Sequence, residues 1–411
     1  MRMTSFFYLK KILRGIMLPS LLLAAGVQGI QAQELVSEEA DLEMSVLLMT
    51  TGYQSYYHPE VVLEIDGEPV TIAYDSPAFS NGDIVFRPRR EGESIRILSI
   101  ERAQGNPSYK GTLTLRRKEA GILIINDLYM EDYLCGVVPS EMPSYYEEEA
   151  LKAQAVCART YAYRQCQEQR LAEYGADVDD SVSFQVYNNI GEQEAATCAV
   201  RDTEGEILCQ NGSPIEAYYF STSSGNTSTD EVWESEEEAS YLKSVECMYD
   251  ASEPWSKWQV FFPIERIQNL AEQKFGIQDT VQGMAAVKLS SGGAVTQLRI
   301  YTDSGEETVH KEYAIRSFLS PYGLDITQND GSVSSFQTTL PSAYFSLQAY
   351  YDEETGAIAG YTLYGGGYGH GVGMSQNGAN HMAAQGSSYG DILNYFFNQV
   401  ELTSIQTLAQ N

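Results

Sequence analysis

The sequence is poor in basic residues. It has 26 lysines and arginines against 56 aspartates and glutamates, which gives a formal net charge of −30 at pH 7 over 411 residues. This charge would repel the phosphates of DNA or RNA, so we expect no nucleic-acid partner. The acidic residues are spread along the chain rather than gathered in a tail, which indicates a solvated acidic surface.

Histidine and cysteine are also scarce, and neither is spaced for metal binding. The four histidines, at positions 58, 310, 370 and 381, form no HxxxH or HExxH pattern, so we predict no metal site. The six cysteines, at positions 135, 157, 166, 198, 209 and 247, include no CxxC pair. We expect buried free thiols or at most two disulfides, and the pairing stays open.

The N-terminal apolar run is short. Residues 16–30 span about 15 positions, fewer than the roughly 20 that a membrane-spanning helix prefers. Basic residues at positions 2, 10, 11 and 14 precede the run, and a small-residue context near Ala32 follows it. This layout predicts a signal peptide over residues 1–32, with an uncleaved membrane anchor as the alternative. In either case the rest of the chain lies outside the cytoplasm, beginning with an acidic linker over residues 33–44.

Short β-type runs dominate residues 45–118. Turn signals such as Asp66-Gly67 and Asn81-Gly82 separate these runs. Beyond them helix and strand patterns alternate, with a helix predicted over residues 263–276. We therefore predict an α+β fold with a mixed, β-rich core and a few helices, in which residues 45–118 are the β-rich N-terminal part and residues 119–405 the main domain.

A candidate catalytic carboxylate lies in residues 134–143. We predict a strand over residues 134–138 and then a loop in which Glu141 stands between Pro139 and Pro143. The two prolines restrict the backbone around them, so a carboxylate on this loop would be held in place for a reaction. An ordinary solvated loop acid is the alternative.

A long helix is predicted to follow this loop. Ser144 and Glu147 have the spacing of a capping box. Small apolar residues then recur at three- to four-residue intervals, which lets a helix pack closely against its neighbour. They are Leu151, Ala155, Ala158 and Ala162.

Residues 217–233 form a second candidate segment. A predicted strand over residues 217–220 leads into a loop of serine, threonine, glycine and asparagine, and Trp233 follows. Such a loop is rich in hydrogen-bond donors and acceptors. It is either an ordinary turn or one wall of a binding groove.

The third segment surrounds His370 with glycine. Six glycines occur at positions 365, 366, 367, 369, 371 and 373, a density that lets backbone N–H groups face a ligand. No GxxxxGK[ST] or GxGxxG pattern is present, so nucleotide binding is not supported. We interpret the segment as a contact for a glycan or a peptide backbone, with a structural hydrogen bond from His370 as the alternative. Ser388 and Asp391 then have capping-box spacing before a final helix.

Together the three segments resemble the signature blocks of the stage II sporulation protein D (SpoIID/LytB) family. The blocks are VVPSEMPSYYEEEALKAQAVCARTYAY, YYFSTSSGNTSTDEVW and GYGHGVGMSQNGANHMAAQGSSYGDILNYFF. They occur in the family's order over roughly residues 120–400, whereas residues 45–118 match more loosely. The resemblance implies a SpoIID-like fold with a long helix after the catalytic loop. It also implies an extracytoplasmic lytic transglycosylase that cuts peptidoglycan glycan strands, in sporulation strands already stripped of stem peptides by a companion amidase.

The resemblance also implies the site residues. The family's catalytic glutamate falls on Glu141, and its helix arginine falls on Arg159, which would orient Glu141 or bind sugar oxygens. For Arg159 a structural salt bridge, to one of residues 147–149 or elsewhere, is the alternative. Trp233 or nearby tyrosines would stack on sugar faces. The loop motifs place the remaining substrate-binding residues at Ser221, Ser223, Gly225, His370, Ser375 and Gln376.

Two departures from the family pattern stand out. Some members bind zinc through Cys and His residues just before a QVY motif, but residues 180–187 read DSVSFQVY here, so we predict no metal and no cofactor. The residue after the GMSQ motif is Asn377 instead of the usual aromatic, and the arginine often found among the preceding glycines is absent. The preference for particular sugars therefore stays open.

The expected chemistry needs only one carboxyl group. An ordinary glutamate, with a pKa near ~4.3, is mostly ionised at pH 7, so burial must raise the pKa of Glu141 against the effect of the following helix N-terminus. The carboxyl then protonates the leaving oxygen and later takes the proton of the muramic C6 hydroxyl. Two alternatives are a hydrolytic muramidase, with a second carboxylate such as Asp132 or Glu148, and a non-catalytic wall-binding protein that stimulates an amidase.

Overall fold

The computed structural model describes residues 42–90 and 92–409 and shows the predicted α+β fold. Its helices are α1 Met130–Glu141, α2 Glu148–Glu168, α3 Glu194–Asp202, α4 Ile264–Phe275, α5 Glu312–Phe318, α6 Gln376–Ala384, α7 Tyr389–Phe396 and α8 Ile405–Ala409. Its strands are β1 Glu43–Leu48, β2 Glu60–Ile65, β3 Glu68–Ala73, β4 Ile84–Phe86, β5 Ile95–Ile97, β6 Ser108–Tyr109, β7 Thr112–Lys118, β8 Gly121–Tyr129, β9 Val178–Asp179, β10 Glu206–Gln210, β11 Ser213–Pro214, β12 Tyr219–Phe220, β13 Trp258–Pro263, β14 Val281–Leu289, β15 Val295–Thr302, β16 Glu306–His310, β17 Ile326–Gln328, β18 Val333–Ser334, β19 Phe345–Tyr351, β20 Ile358–Gly365, β21 Met374–Ser375 and β22 Glu401–Ser404.

The N-terminal strands build two sheets on the first of three hydrophobic cores in the described residues, and Leu47 of β1 with Leu123 and Ile125 of β8 belongs to the small third core. One sheet has the strand order β4-β7-β8-β1-β9 and the other β3-β2-β5-β6. All six residues of β1 pair antiparallel with β8, and β1 also pairs parallel with β9. Because β1 begins at Glu43, the last residues of the predicted acidic linker belong to a sheet. The predicted signal segment, residues 1–32, lies outside the described residues.

Helix α1 takes the place of the strand predicted for residues 134–138. It begins at Met130 directly after β8, and every residue from Tyr133 to Pro139 is buried. A helix that is buried on all sides carries a continuous apolar run, as a short buried strand does, so the pattern could not separate the two. The predicted loop over residues 139–143 is wrong for a related reason: Pro139 lies in the last helical turn, and Glu141 ends the helix.

The stripe of small residues predicted for the long helix is confirmed. Helix α2 packs against α1, α3 and α6. The four residues of the stripe are all buried, with at most 1% of their surface exposed: Leu151, Ala155, Ala158 and Ala162. Alanine on this stripe allows close packing, since no long side chain separates α2 from its neighbours.

The two predicted capping boxes have different outcomes. The box between Ser144 and Glu147 is wrong, because α2 begins at Glu148, three residues after the predicted first residue, and no side chain caps it. Instead the N–H of Glu147 donates to Asn380 Oδ1 of α6 at 2.9 Å, so a tertiary contact fixes the start of α2. The box between Ser388 and Asp391 is confirmed at the start of α7.

A second hydrophobic core lies in the C-terminal half. Its main sheet has the order β18-β17-β13-β20-β19, and a smaller sheet has the order β14-β15-β16. The helix predicted over residues 263–276 is confirmed as α4, which packs on these strands. Strand β20 leads from this core into the glycine-rich segment: Leu363 belongs to the second core and Val372 to the first. The His370 segment therefore lies where the chain passes between the cores.

All six cysteines are free thiols, and the expectation that such thiols are buried is confirmed for four of them. Cys166 is partly buried, Cys198 is exposed, and the other four are buried. None of the described helices has both the length and the apolar character needed to cross a bilayer.

Candidate active site

Glu141 lies at the C-terminal end of α1 with its carboxylate against two hydrogen-bond donors. Its Oε1 accepts the backbone N–H of Val186 at 2.6 Å. The hydroxyl of Tyr219, at the start of β12, also donates to this carboxylate. The side chain is only partly exposed. Neither donor comes from the long helix that follows Glu141 in sequence.

The direction of these hydrogen bonds is fixed by a short chain of partners. Tyr133 donates its hydroxyl to Oε1 of Gln185 at 3.4 Å. Nε2 of Gln185 donates in turn to the hydroxyl oxygen of Tyr219 at 3.0 Å and to the carbonyl of Ala158 at 3.3 Å. Because the oxygen of Tyr219 already accepts a hydrogen bond, its own proton is directed to Glu141. The chain therefore presents a donor, and not an acceptor, to the carboxylate.

Burial sets the protonation of Glu141. Desolvation raises its pKa to about 7, although the donors Val186 and Tyr219 lower it. The sequence predicted that Glu141 lies before the N-terminus of the following helix, which would lower its pKa, but Glu141 is instead the last residue of α1. The partial negative charge at that C-terminal end also disfavours an ionised carboxylate. The group is thus present in both protonation states near neutral pH.

The glycine-rich segment reaches Glu141 through Gln376. At the start of α6, Gln376 Nε2 donates to the backbone carbonyl of Glu141 at 3.1 Å and to Gln154 Oε1 of α2 at 3.2 Å. Gln376 is 7% exposed. This residue joins α1, α2 and α6 around the candidate acid, so two of the three predicted segments meet there.

The hydroxyl-rich loop and the glycine-rich segment lie side by side. Strands β12 and β21 pair in parallel, with Phe220 opposite Ser375. Isolated bridges continue the pairing from Thr222 to Tyr368 and from Ser228 to Val372. The sequence suggested two separate walls of a groove, whereas the two loops form one hydrogen-bonded unit.

Three of the predicted binding residues hold this unit together. Ser375 Oγ donates to Asp250 Oδ2 at 2.6 Å, and the N–H of Ser223 donates to the same oxygen at 2.5 Å. Ser375 and Ser223 are at most 1% exposed, so their hydroxyls do not face solvent. The carbonyl of Gly225 accepts the N–H of Cys247 at 2.7 Å. Ser221 is the predicted serine that stays partly exposed.

The ring of His370 binds the backbone of the strand that carries Tyr219. Its Nδ1 accepts the N–H of Val372 at 3.1 Å, and the ring also bonds the backbone of Tyr219. Burial lowers its pKa to about 4, so the ring is neutral at pH 7. The rings of Tyr218 and Trp233 pack against it at centroid distances of 6.2 and 5.5 Å. The neutral imidazole thus positions the strand that carries Tyr219.

Arg159 lies in the core and not at the candidate site. It is fully buried and forms two bonds of 2.7 Å to the carboxylate of Glu131 in α1. Its remaining N–H groups bond Thr203 and the carbonyls of Val200 and Glu206. A guanidinium whose donors are all used inside the protein cannot orient Glu141 or reach a sugar. The structure corresponds to the salt-bridge alternative, with Glu131 as the partner.

The two carboxylates proposed for a hydrolytic mechanism are held elsewhere. Asp132 lies nine residues before Glu141 in α1, about 13 Å along the axis, and pairs with Lys110 at 2.9 Å. It lines a surface cavity of about 340 Å³ at the opposite end of α1. Glu148 is solvent-exposed and pairs with Lys152. Both hydrolytic geometries need a second carboxylate within about 5–10 Å of the first, free to act on water, whereas Asp132 and Glu148 are both paired with a lysine.

Comparison with known proteins places this arrangement in a family. The stage II sporulation protein family profile matches residues 118–209, and a domain of unknown function matches residues 233–373. Stage II sporulation protein D of Bacillus subtilis (strain 168) is 33% identical over 320 residues, which cover 72% of this chain and 83% of that protein. The chain belongs to the stage II sporulation protein D family.

Other relatives extend the comparison. Stage II sporulation protein D of Bacillus amyloliquefaciens is 33% identical over 294 residues, covering 68% of this chain and 75% of that protein. A B. subtilis protein named amidase enhancer is 30% identical over 302 residues, which are 66% of this chain but 40% of the longer relative. The family profile contains Glu141 and Gln185 but ends before Tyr219 and His370, so the candidate site extends beyond it.

Sequence reasoning missed the partners that give this family member its site geometry. Gln185 lies in the QVY motif, which drew attention only for its missing zinc ligands, and Tyr219 lies in a quoted block without a role. Asp250, which joins the two loops, had no local signal. Asn377, a departure from the family pattern, donates to Thr222 Oγ1 at 2.9 Å and accepts the hydroxyl of Tyr146. In the described part of the chain, no cluster of three or more His, Cys, Asp or Glu residues could hold a metal ion.

Proposed function

We propose that this protein is a lytic transglycosylase that cleaves the MurNAc–GlcNAc bond of peptidoglycan strands and leaves a 1,6-anhydro-MurNAc end. One observation carries the proposal: Glu141 is a partly buried carboxyl group with a pKa of about 7 and two fixed donors. Such a group can give a proton and take one back near neutral pH, which is what a single-carboxylate mechanism requires.

In the first step Glu141 is protonated and gives its proton to the glycosidic oxygen. The bond between that oxygen and C1 of MurNAc breaks, and positive charge develops on the MurNAc ring. Glu141 becomes a carboxylate, and the N–H of Val186 and the hydroxyl of Tyr219 stabilise the new charge. These donors are in place before the reaction, so little reorganisation is needed.

In the second step the same carboxylate acts as base. It removes the proton of the C6 hydroxyl of MurNAc, and the C6 oxygen bonds to C1 to close the anhydro ring. Glu141 is then protonated again, no water is consumed, and the enzyme is ready for another strand. This sequence needs no second carboxylate, in keeping with the pairing of Asp132 and Glu148 with lysines.

The remaining site residues divide into contacts and supports. We assign substrate contact to Ser221, which keeps exposed surface in the hydroxyl-rich loop, and support of that loop to Gly225, whose N–H and carbonyl bind within the protein. Tyr145 lies four residues after Glu141 and is 85% exposed, so we assign its ring to stacking on a sugar. We assign support of the loops to Ser223 and Ser375, and support of Glu141 and Tyr219 to Gln376 and His370, whose polar groups bind within the protein.

We place this activity outside the cytoplasm, on wall glycan that a companion amidase has stripped of stem peptides. The second candidate function is stimulation of such an amidase without cleavage of glycan. It is favoured by the similarity to the protein named amidase enhancer. The two candidates differ in whether the purified chain alone releases product.

Digestion of purified sacculi, with and without amidase treatment, tests the proposal. We expect anhydro-muropeptides by mass spectrometry, with more of them after amidase treatment, and none from Glu141→Gln. Glu148→Gln is the matched control, since this glutamate is exposed and pairs with Lys152. Products with reducing ends would indicate a muramidase. No release, together with a faster amidase, would indicate the second candidate, and unchanged anhydro product from Glu141→Gln would show that another residue is the acid.

A further inference from the structure

The main sheet of the second core presents its outer face to solvent. Along β13, β20 and β19, alternate residues point into the core, and the residues between them point outward. Strand register aligns these outward positions across the three strands. Six of them are exposed: Gln259, Phe261, Ser346, Gln348, Tyr350 and Tyr364.

Three aromatic rings form a continuous strip on this face. Phe261 and Tyr350 lie on the two strands that flank β20, and their ring centroids are 5.9 Å apart. They approach each other across Gly360, where an added Cβ would lie 2.7 Å from the Phe261 ring. The hydroxyl of Tyr350 bonds that of Tyr364. Phe261, Tyr350 and Tyr364 are 45%, 40% and 41% exposed.

The charge of this face differs from that of the whole chain. None of the six outward residues is charged, although the chain carries a net charge of −30. Lys257 directly precedes β13 and has an extended backbone, so the alternation of the strand places it on the same side as Gln259 and Phe261. It is exposed and forms no ion pair with any described residue. A polymer that bears carboxylates is repelled by an acidic surface but can bind here.

We propose that this face binds a glycan strand whose sugars carry carboxylate groups. The rings of Phe261, Tyr350 and Tyr364 offer apolar surfaces for the C–H faces of sugars. The amides of Gln259 and Gln348 offer both donors and acceptors to ring hydroxyls, and Lys257 can pair with a carboxylate. The choice of wall glycan as this polymer rests on the proposed function.

The position and size of the face favour a glycan over a second protein. Strand β20 passes from Tyr364 into the glycine-rich segment, and the N–H of Gly367 in that segment donates to the carbonyl of Trp255, two residues before Lys257, at 2.8 Å. The face is thus continuous with a loop of the candidate site. Six side chains are also few beside the roughly 20–30 residues on each side of a standard protein interface.

Binding of the full chain to purified sacculi, measured by co-sedimentation, tests the assignment. The measurement uses Glu141→Gln as the parent, in which we expect no cleavage, and it records bound protein and not released product, so each variant is compared with its parent whichever residue is the acid. We expect Tyr350→Ala and Tyr364→Ala to weaken binding about three- to tenfold each. Lys257→Glu should weaken binding most at low salt. Tyr313→Ala, which removes a ring 62% exposed on α5, is the control and should bind as the parent does.

Three results would overturn the proposal. In the first, the Tyr364→Ala and Lys257→Glu variants are folded and bind sacculi as strongly as the parent does. The second is an equal loss of binding in Tyr313→Ala, which would make the effect unspecific. The third is a dimer on size-exclusion chromatography that Tyr364→Ala dissociates, since the face would then bind a second copy.

Discussion

Glu141 is held between opposing effects on its pKa. Burial and the C-terminal end of α1 favour the protonated carboxyl, whereas the N–H of Val186 and the hydroxyl of Tyr219 favour the ionised form. Burial is the larger effect, so the pKa rises to about 7. The donor and the carboxyl group can each be changed by a single substitution.

Tyr219→Phe removes a donor to the ionised carboxylate and should raise the pKa of Glu141 further. A hydrogen bond to a charged group contributes about 1.5–3 kcal/mol, which corresponds to roughly one to two pH units. The alkaline limb of the pH–rate profile should therefore move upward by about that amount, with a lower maximal rate because the new carboxylate is less stabilised. Tyr145→Phe keeps its exposed ring and should leave both limbs in place. An unmoved alkaline limb in Tyr219→Phe would contradict the assignment of this donor.

Glu141→Gln should stabilise the fold at alkaline pH. With a folded pKa of about 7 against an ordinary value of 4.5, the folded chain binds more protons at Glu141 than the unfolded chain between these pH values. The stability contributed by this group is present below about pH 4.5 and is lost as pH rises through 7. Urea unfolding at pH 8 should show the variant about 1–3 kcal/mol more stable than the parent, with little difference at pH 4. A variant less stable than the parent at pH 8 would argue against a raised pKa.

At this scale the sequence identified the acid but not its partners. Glu141 stood out because it lies between two prolines in a family motif. Gln185, Val186 and Tyr219 reach it only through tertiary folding, and no spacing in the sequence connects them. For Arg159 the family motif was clear but the role that it implied was not found, because the side chain pairs with Glu131, a residue to which the sequence had assigned no ionic role.

Among the elements, the pair of helices α1 and α2 is joined by an ion pair between the buried Arg159 and Glu131, whose side chain is 30% exposed. Arg159→Met leaves Glu131 without its partner and should lower the free energy of unfolding by about 1.5–3 kcal/mol, since water can solvate part of the carboxylate. The double variant Arg159→Met with Glu131→Leu should lose less than the sum of the single variants, because no unpaired charge remains. Denaturant unfolding of the four proteins measures this coupling. A higher KM in Arg159→Met with unchanged stability would instead support direct substrate binding.

The junction of β12 with β21 depends on the absence of a side chain at Gly373. Its φ is +77°, and a Cβ there would lie 2.1 Å from the carbonyl oxygen of Tyr218. Gly386 has a φ of +94° with open space around it. An alanine there has the same backbone strain without steric overlap, so Gly386→Ala is the control for Gly373→Ala. Gly386→Ala should cost about 1–3 kcal/mol of stability and keep activity. Gly373→Ala should cost more than its control and lose at least about tenfold in rate, because Gln376 moves away from Glu141; equal effects of the two variants would contradict this account.

The elements were predicted unevenly for a physical reason. Residue spacing identified the small-residue stripe of α2 and the capped start of α7, because the first is carried by small residues at three- to four-residue intervals and the second by Ser388 and Asp391. Residues 134–138 were predicted as a strand because a short, continuously apolar run is typical of a buried strand as well as of a buried helix. The start of α2 depends on Asn380, far along the chain, which no local capping rule includes.

At the scale of the whole molecule, the candidate site lies against the first core. Met142, next to Glu141, is buried in that core, and the chain returns to it from the second core through β20 and Val372. The order of the three blocks revealed the family and the expected reaction. The sequence did not show that two of the blocks pair directly, because parallel pairing of β12 with β21 joins segments about 150 residues apart.

The source of the oxygen in the product tests the central claim most directly. Amidase-treated glycan is digested in water labelled with heavy oxygen, and the new MurNAc ends are examined by mass spectrometry. The account predicts anhydro ends that are one water lighter than reducing ends and carry no label, since the C6 hydroxyl supplies the oxygen. Labelled reducing ends as the first product would contradict it, because they would show that water, and not the sugar itself, attacks C1.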